Sequence, residues 1–149
     1  MAAIRTATVT WSGDLASGAG SVTAGSSETF IDLPVSWASR TDQPDGRTSP
    51  EELLAAAHAS CYAMAFSADL GRAGTPPGHL HVSAEVAFEK LDTGWTVVSS
   101  ALTVLGQVPG CTGEAFKRIA ESAKDGCPIS RALAGNVALS VQATLETDG

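Results

Sequence analysis

Ser49-Pro50-Glu51-Glu52, continued by LLAAAHASCYAMAFSAD from Leu53 to Asp69, is the stretch around which the rest of the chain must be arranged. Ser49 suits an N-cap, and Pro50 suits the first helical position, where its missing N–H is not needed. Glu51 and Glu52 sit at the positive end of the helix dipole. Ala, Leu and Met propagate the helix and Gly71 stops it. Apolar residues fall on nearly every side, which predicts burial inside protein, while His58, Ser60, Ser67, Asp69 and the short span argue against a bilayer. The expectation is a buried central helix whose many Ala residues let a neighbouring helix approach closely.

Upstream, Thr6 to Trp11 is β-branched and runs into Ser12-Gly13-Asp14, and Gly20 to Thr23 and Glu28 to Leu33 lie between Gly and Ser clusters. Three short strands in an antiparallel meander are predicted. Arg40 to Ser49 is polar, carries Pro44 and Gly46, and reads as a surface loop. Downstream of the helix, Val82, Ala84, Val86 and Phe88 alternate with Ser83, Glu85, Ala87 and Glu89, the period of a half-exposed strand. Asp92-Thr93-Gly94 turns it into a second arm from Trp95 to Leu105. Phe116, Ile119, Ala120 and Ala123 recur at helical spacing between Gly113 and Lys124. A short helix from Pro128 to Leu133 and a last strand from Val137 to Glu146 complete an α+β chain. No repeat or long linker divides it, so 1–149 reads as a single domain.

The charge balance narrows the partners. Nine Lys and Arg against sixteen Asp and Glu give a formal charge of −7, the wrong sign for nucleic acid or an anionic membrane surface. With 44% apolar and 17% charged residues the chain can bury a core, although aromatics are only 5% and that core must lean on Ala, Val and Leu. The N-terminus lacks the basic and apolar regions of a signal peptide, which points to the cytoplasm.

Three cysteines, Cys61, Cys111 and Cys127, form no C-x-x-C pair and are too few for a disulfide framework or a zinc site. Cys61 lies mid-helix, where it is either a small core residue or, if a fixed positive charge holds its thiolate, a reactive thiol. Cys127 precedes Pro128 at the N-cap of the short helix; it is equally a weak substitute for Ser or a thiol activated by exposed N–H groups. Cys111 has no charged neighbour and reads as structural or incidental. His58, three residues before Cys61, could touch it as in a cysteine hydrolase, but no third orienting group is apparent. His79 and His81 share a strand face without acidic or Cys companions and read as satisfied or solvated. No metal or cofactor is expected.

The run from Thr48 to Cys61, together with Lys124-Asp125-Gly126-Cys127-Pro128-Ile129-Ser130, resembles the OsmC branch of the OsmC/Ohr family of thiol peroxidases. Trp11-Ser12-Gly13-Asp14, Val108-Pro109-Gly110 and an Arg upstream of Pro-Glu-Glu extend the resemblance over nearly the whole chain. It implies an OsmC-like fold with antiparallel sheets wrapped around the central helix in an intertwined homodimer. It also implies reduction of organic hydroperoxides, and hydrogen peroxide more weakly, in protection against oxidative or osmotic stress. Cys61 would be the peroxidatic thiolate and Cys127 the resolving thiol, with Glu51 and Arg40 stabilising the site and a dihydrolipoamide-like dithiol reopening the disulfide. Arg47 offers a second guanidinium in the same loop.

Glu51 and Cys61 are ten residues apart, about 15 Å of rise on a straight helix, so Glu51 and Arg40 are expected to serve the Cys61 of a second subunit. A non-catalytic small-ligand-binding or interaction protein of the same fold, with Cys61 as core and Cys127 as cap, is the alternative.

Overall fold

The computed structural model describes residues 1–147. They form two compact units, Met1–Leu53 and a second beginning at Leu54. In the first, β1 (Ala7–Ser12), β2 (Ala19–Ala24) and β3 (Leu33–Val35) make an antiparallel sheet in chain order. The strand expected from Glu28 to Leu33 is not formed. Glu28 and Asp32 take φ of 56° and 54°, left-handed values that break an extended run, so pairing resumes only at Leu33.

The expected loop from Arg40 to Ser49 is also shorter than its composition suggests. Arg40 and Thr41 close a helix, α1 (Trp37–Thr41), which is fixed by reciprocal Ser36–Ser39 capping bonds. Five residues carry too little periodicity for the helix to be read from the sequence. The loop proper turns at Asp45 and Gly46, both left-handed, with Arg47 N–H donating to the Pro44 carbonyl at 2.9 Å. Thr48 then bridges to Val35 and the next helix begins.

Helix α2 spans Pro50–Arg72 and starts as expected, with Glu52 N–H donating to Ser49 Oγ at 3.1 Å. Its burial differs from the expectation. Only the stripe His58, Tyr62, Phe66 and Leu70, at intervals of four, is fully buried, whereas Ala56 and Ala57 are exposed and Met64 keeps 71% of its surface open. Tyr62, Phe66 and Leu70 of the stripe pack on the unit's own sheet and on helix α3 (Gly113–Gly126).

β4 (His79–Leu91) and β5 (Gly94–Gln107) form the predicted hairpin, with a bulge where Ala87 pairs with Ser99 and Phe88 with Val97. The last strand, β6 (Ala138–Leu145), lies beside β5 but runs parallel to it, so this sheet is mixed rather than antiparallel. The reason is the connection. A tight turn would return the chain antiparallel, but α3 and α4 (Pro128–Leu133) carry it across the sheet face before β6, as a parallel pair requires. Leu102 and Val104 of β5, Val108, and Phe116, Ala120 and Ala123 of α3 close the core around Tyr62, Phe66 and Leu70. The Phe66 and Phe116 rings meet at 5.0 Å between centroids. Gly106 is needed there, because a Cβ would stand 2.6 Å from the Phe116 ring.

Candidate active site

The four residues expected to carry chemistry resolve into two pairs, one in each compact unit. In the second unit, α2 carries Cys61 and the joint between α3 and α4 carries Cys127. Cys127 occupies the N-cap of α4 with Pro128 at the first helical position, yet its side chain makes no capping hydrogen bond. It lies close enough to Cys61 to influence the ionisation of that thiol. The reading of Cys127 as a substitute Ser cap therefore does not describe it. All three cysteines are free thiols, with Cys61 half-buried and Cys127 wholly buried.

Burial is the main influence on the Cys61 thiol and pushes its pKa up. The backbone N–H of Ile129, in the first turn of α4, lies near the sulfur and opposes that shift, while the neighbouring Cys127 adds to it. A thiol in this balance needs a cation alongside before its thiolate dominates near neutral pH.

His58 lies one turn before Cys61 on α2 and is fully buried. Its Nδ1 meets Ser100 Oγ of β5 at 2.6 Å, and its Nε2 meets Ser130 Oγ of α4 at 2.8 Å. Burial depresses its pKa, favouring the neutral imidazole, with one ring nitrogen donating and the other accepting. With both nitrogens taken by serines, His58 is not arranged as the base of a Cys-His hydrolase. The sequence reading missed both serines and the Ile129 N–H. Ser100 had one available signal, a hydroxyl in an otherwise apolar strand arm, and Ser130 another, a place three residues beyond Cys127.

In the first unit, Arg40 and Glu51 form an ion pair. Arg40 Nη2 donates to Glu51 Oε1 at 2.6 Å, and Nε donates to the two carboxylate oxygens at 3.1 and 3.2 Å. Glu51 is buried, and the guanidinium carbon lies 5.5 Å from the Trp37 ring centroid. Arg47 instead approaches Asp45 at 3.7 Å on the surface, so Arg40 is the guanidinium that Glu51 holds. Arg40 and Pro50 also line an apolar cleft of about 370 Å³ with Val9, Trp11, Val35 and Leu53.

Cys111 lies apart from the thiol pair, with Sγ donating to the Thr112 carbonyl at 3.4 Å. His79 and His81 are both exposed. Among the described residues, no cluster of three or more His, Cys, Asp or Glu is placed to hold a metal.

Comparison with known proteins gives this arrangement a family. Peroxiredoxin OsmC of Escherichia coli (strain K12) is 37% identical over 132 residues, 89% of this chain and 91% of its own. In fold, the organic hydroperoxide resistance protein of Elizabethkingia anophelis matches with a TM-score of 0.74 at 22% identity, covering 98% of this chain and all of that one. The organic hydroperoxide resistance protein OhrB of Bacillus subtilis matches with 0.70 at 22% identity, over 93% and 98% of the two chains. The profile described as OsmC-like protein spans residues 43–142, two thirds of the sequence and both candidate pairs apart from Arg40. The chain belongs to the OsmC-like protein family.

Proposed function

We propose that this chain is a cysteine peroxidase that reduces organic hydroperoxides, and hydrogen peroxide more weakly. One observation carries the reading: two thiols are neighbours, and of the two Cys61 is half-buried and open to an incoming oxidant while Cys127 is wholly buried. The name of the E. coli relative, peroxiredoxin, supports the reaction class, and the apolar cleft beside Arg40 favours an organic substrate.

The Cys61 thiolate attacks the distal peroxide oxygen. The O–O bond breaks, the alkoxide leaves as the alcohol after taking a proton, and Cys61 becomes a sulfenic acid. Cys127 sulfur then displaces the hydroxyl as water and a Cys61–Cys127 disulfide forms. A dihydrolipoamide-like dithiol reopens it by thiol–disulfide exchange. The cation that Cys61 lacks is Arg40, fixed in orientation by Glu51 and brought by a second subunit of an intertwined homodimer. The exposed Ala-rich faces of α2, together with Met64, are the surface such a partner would cover. Residues 1–149 act as one domain, in the cytoplasm, with protection against oxidative or osmotic stress as the role.

Mass spectrometry after one equivalent of tert-butyl hydroperoxide should find a Cys61–Cys127 disulfide with Cys111 free. Cys61→Ser should abolish dithiol-dependent peroxide consumption. A wild-type protein that consumes no peroxide would leave the non-catalytic reading in place.

A further inference from the structure

His58 is a fully buried titratable group that the peroxidase reading does not use, and its position along the chain is specific. It lies three residues before Cys61 on α2, and its partner Ser130 lies three residues after Cys127 on α4. At that spacing His58 shares a helix face with Cys61 on α2, while Ser130 lies in the first turn of the helix α4 that Cys127 precedes. The 2.8 Å bond between His58 Nε2 and Ser130 Oγ therefore joins the turn of α2 that presents Cys61 to the turn of α4 that follows Cys127. Ser100, at 2.6 Å from Nδ1, fixes the ring from the β5 side. The same short helix carries Ile129 near the Cys61 sulfur and begins directly after Cys127, so a shift of α4 would move both neighbours of that sulfur together.

We propose that His58 is a positioning residue for disulfide closure: through Ser130 it holds α4 against α2 and keeps Cys127 within reach of the Cys61 sulfenic acid. This rests on the reading of Cys61 and Cys127 as the reacting pair. Closure forms the S–S bond and breaks the Cys61 S–O bond, and the Cys127 proton leaves with the hydroxyl as water. Attack on peroxide uses only Cys61, so the two steps respond differently to the tie.

The test follows both steps in the reduced protein mixed with one equivalent of tert-butyl hydroperoxide. Peroxide loss reports the first step; dimedone trapping of sulfenic acid and mass spectrometry of the disulfide report the second. Ser130→Ala should slow closure about tenfold, the scale expected when reacting groups are displaced by a fraction of an ångström, with peroxide loss within about twofold of wild type. Ser130→Thr, which restores a hydroxyl, should recover the closure rate. Tyr62→Phe removes another buried tie of α2, to the Ala120 carbonyl of α3, and should leave closure unchanged. Closure at the wild-type rate in Ser130→Ala, or equal slowing in Tyr62→Phe, overturns the proposal. Absence of a Cys61–Cys127 disulfide in the wild type overturns the peroxidase reading and this inference with it.

Discussion

Arg40 meets Glu51 side-on: Nε and Nη2 of one guanidinium edge both donate to the same carboxylate, at 2.6 to 3.2 Å. Two parallel donors fix the plane of the fork as well as its position, which a single point charge does not achieve. Glu51 is held in turn by the first turn of α2, so the orientation of Arg40 is set by a helix start legible as Ser-Pro-Glu-Glu.

Arg40→Met should therefore lower the second-order rate of peroxide reduction by about 100-fold, the scale of losing one preorganised charged donor. Burial already raises the Cys61 thiol, so removing the cation proposed to favour its thiolate should move the rise of rate with pH further to the alkaline side. Arg40→Lys, which keeps the charge but not the fork, should recover only part of the rate. Stopped-flow measurements from pH 5 to 10 would decide this; an unshifted profile in Arg40→Met would separate Arg40 from the thiol.

Gly106→Ala should destabilise the protein by about 1–3 kcal/mol through overpacking, because the new Cβ would stand 2.6 Å from the Phe116 ring, itself wedged against Phe66. Urea unfolding checks it. An unchanged midpoint would mean that the ring can step aside.

Tyr62→Phe keeps the ring and its packing while removing the hydroxyl that donates to the Ala120 carbonyl at 2.9 Å. Burial pushes the phenol pKa well up, so that hydroxyl remains a donor across the working pH range. The loss should be about 1 kcal/mol, or roughly 2–4 °C in the melting temperature for a chain of this size.

His58 gives stability a defined pH dependence. Its pKa is depressed in the folded state, so below about pH 6.5 the unfolded chain takes up a proton that the native chain refuses. Its contribution is thus constant above that pH and is lost as pH falls. Thermal melts from pH 7.5 to 5 should fall more steeply for wild type than for His58→Gln; parallel curves would assign acid sensitivity to the carboxylates instead.

What could be read from the sequence followed local chemistry. The start of α2, the β4–β5 hairpin, α3 and the limits of α4 are each written in caps, alternation or helical spacing within a few residues. β6 gave its alternation but not its direction, because orientation belongs to the crossover and not to the strand. Within one chain only one stripe of α2 is fully buried: an apolar Ala face looks like core in sequence, yet it is buried only where something covers it. Arg40 and Glu51, Cys61 and Cys127 were legible as a motif. The Ser100–His58–Ser130 chain was not, since its members are separated by 42 and 72 residues and none is unusual alone.

The parallel placement of β6 also has a consequence in time. β5 completes its pairing only after α3 and α4 have been made, so during synthesis Cys61 emerges more than sixty residues ahead of Cys127. Contacts at such separations form late in folding, after the local helices and the hairpin. A nascent chain then carries Cys61 as an ordinary thiol, without the Ile129 N–H or its neighbouring sulfur. The two cysteines are brought together only when the crossover closes, so in an unfinished chain Cys61 stands without Cys127 beside it.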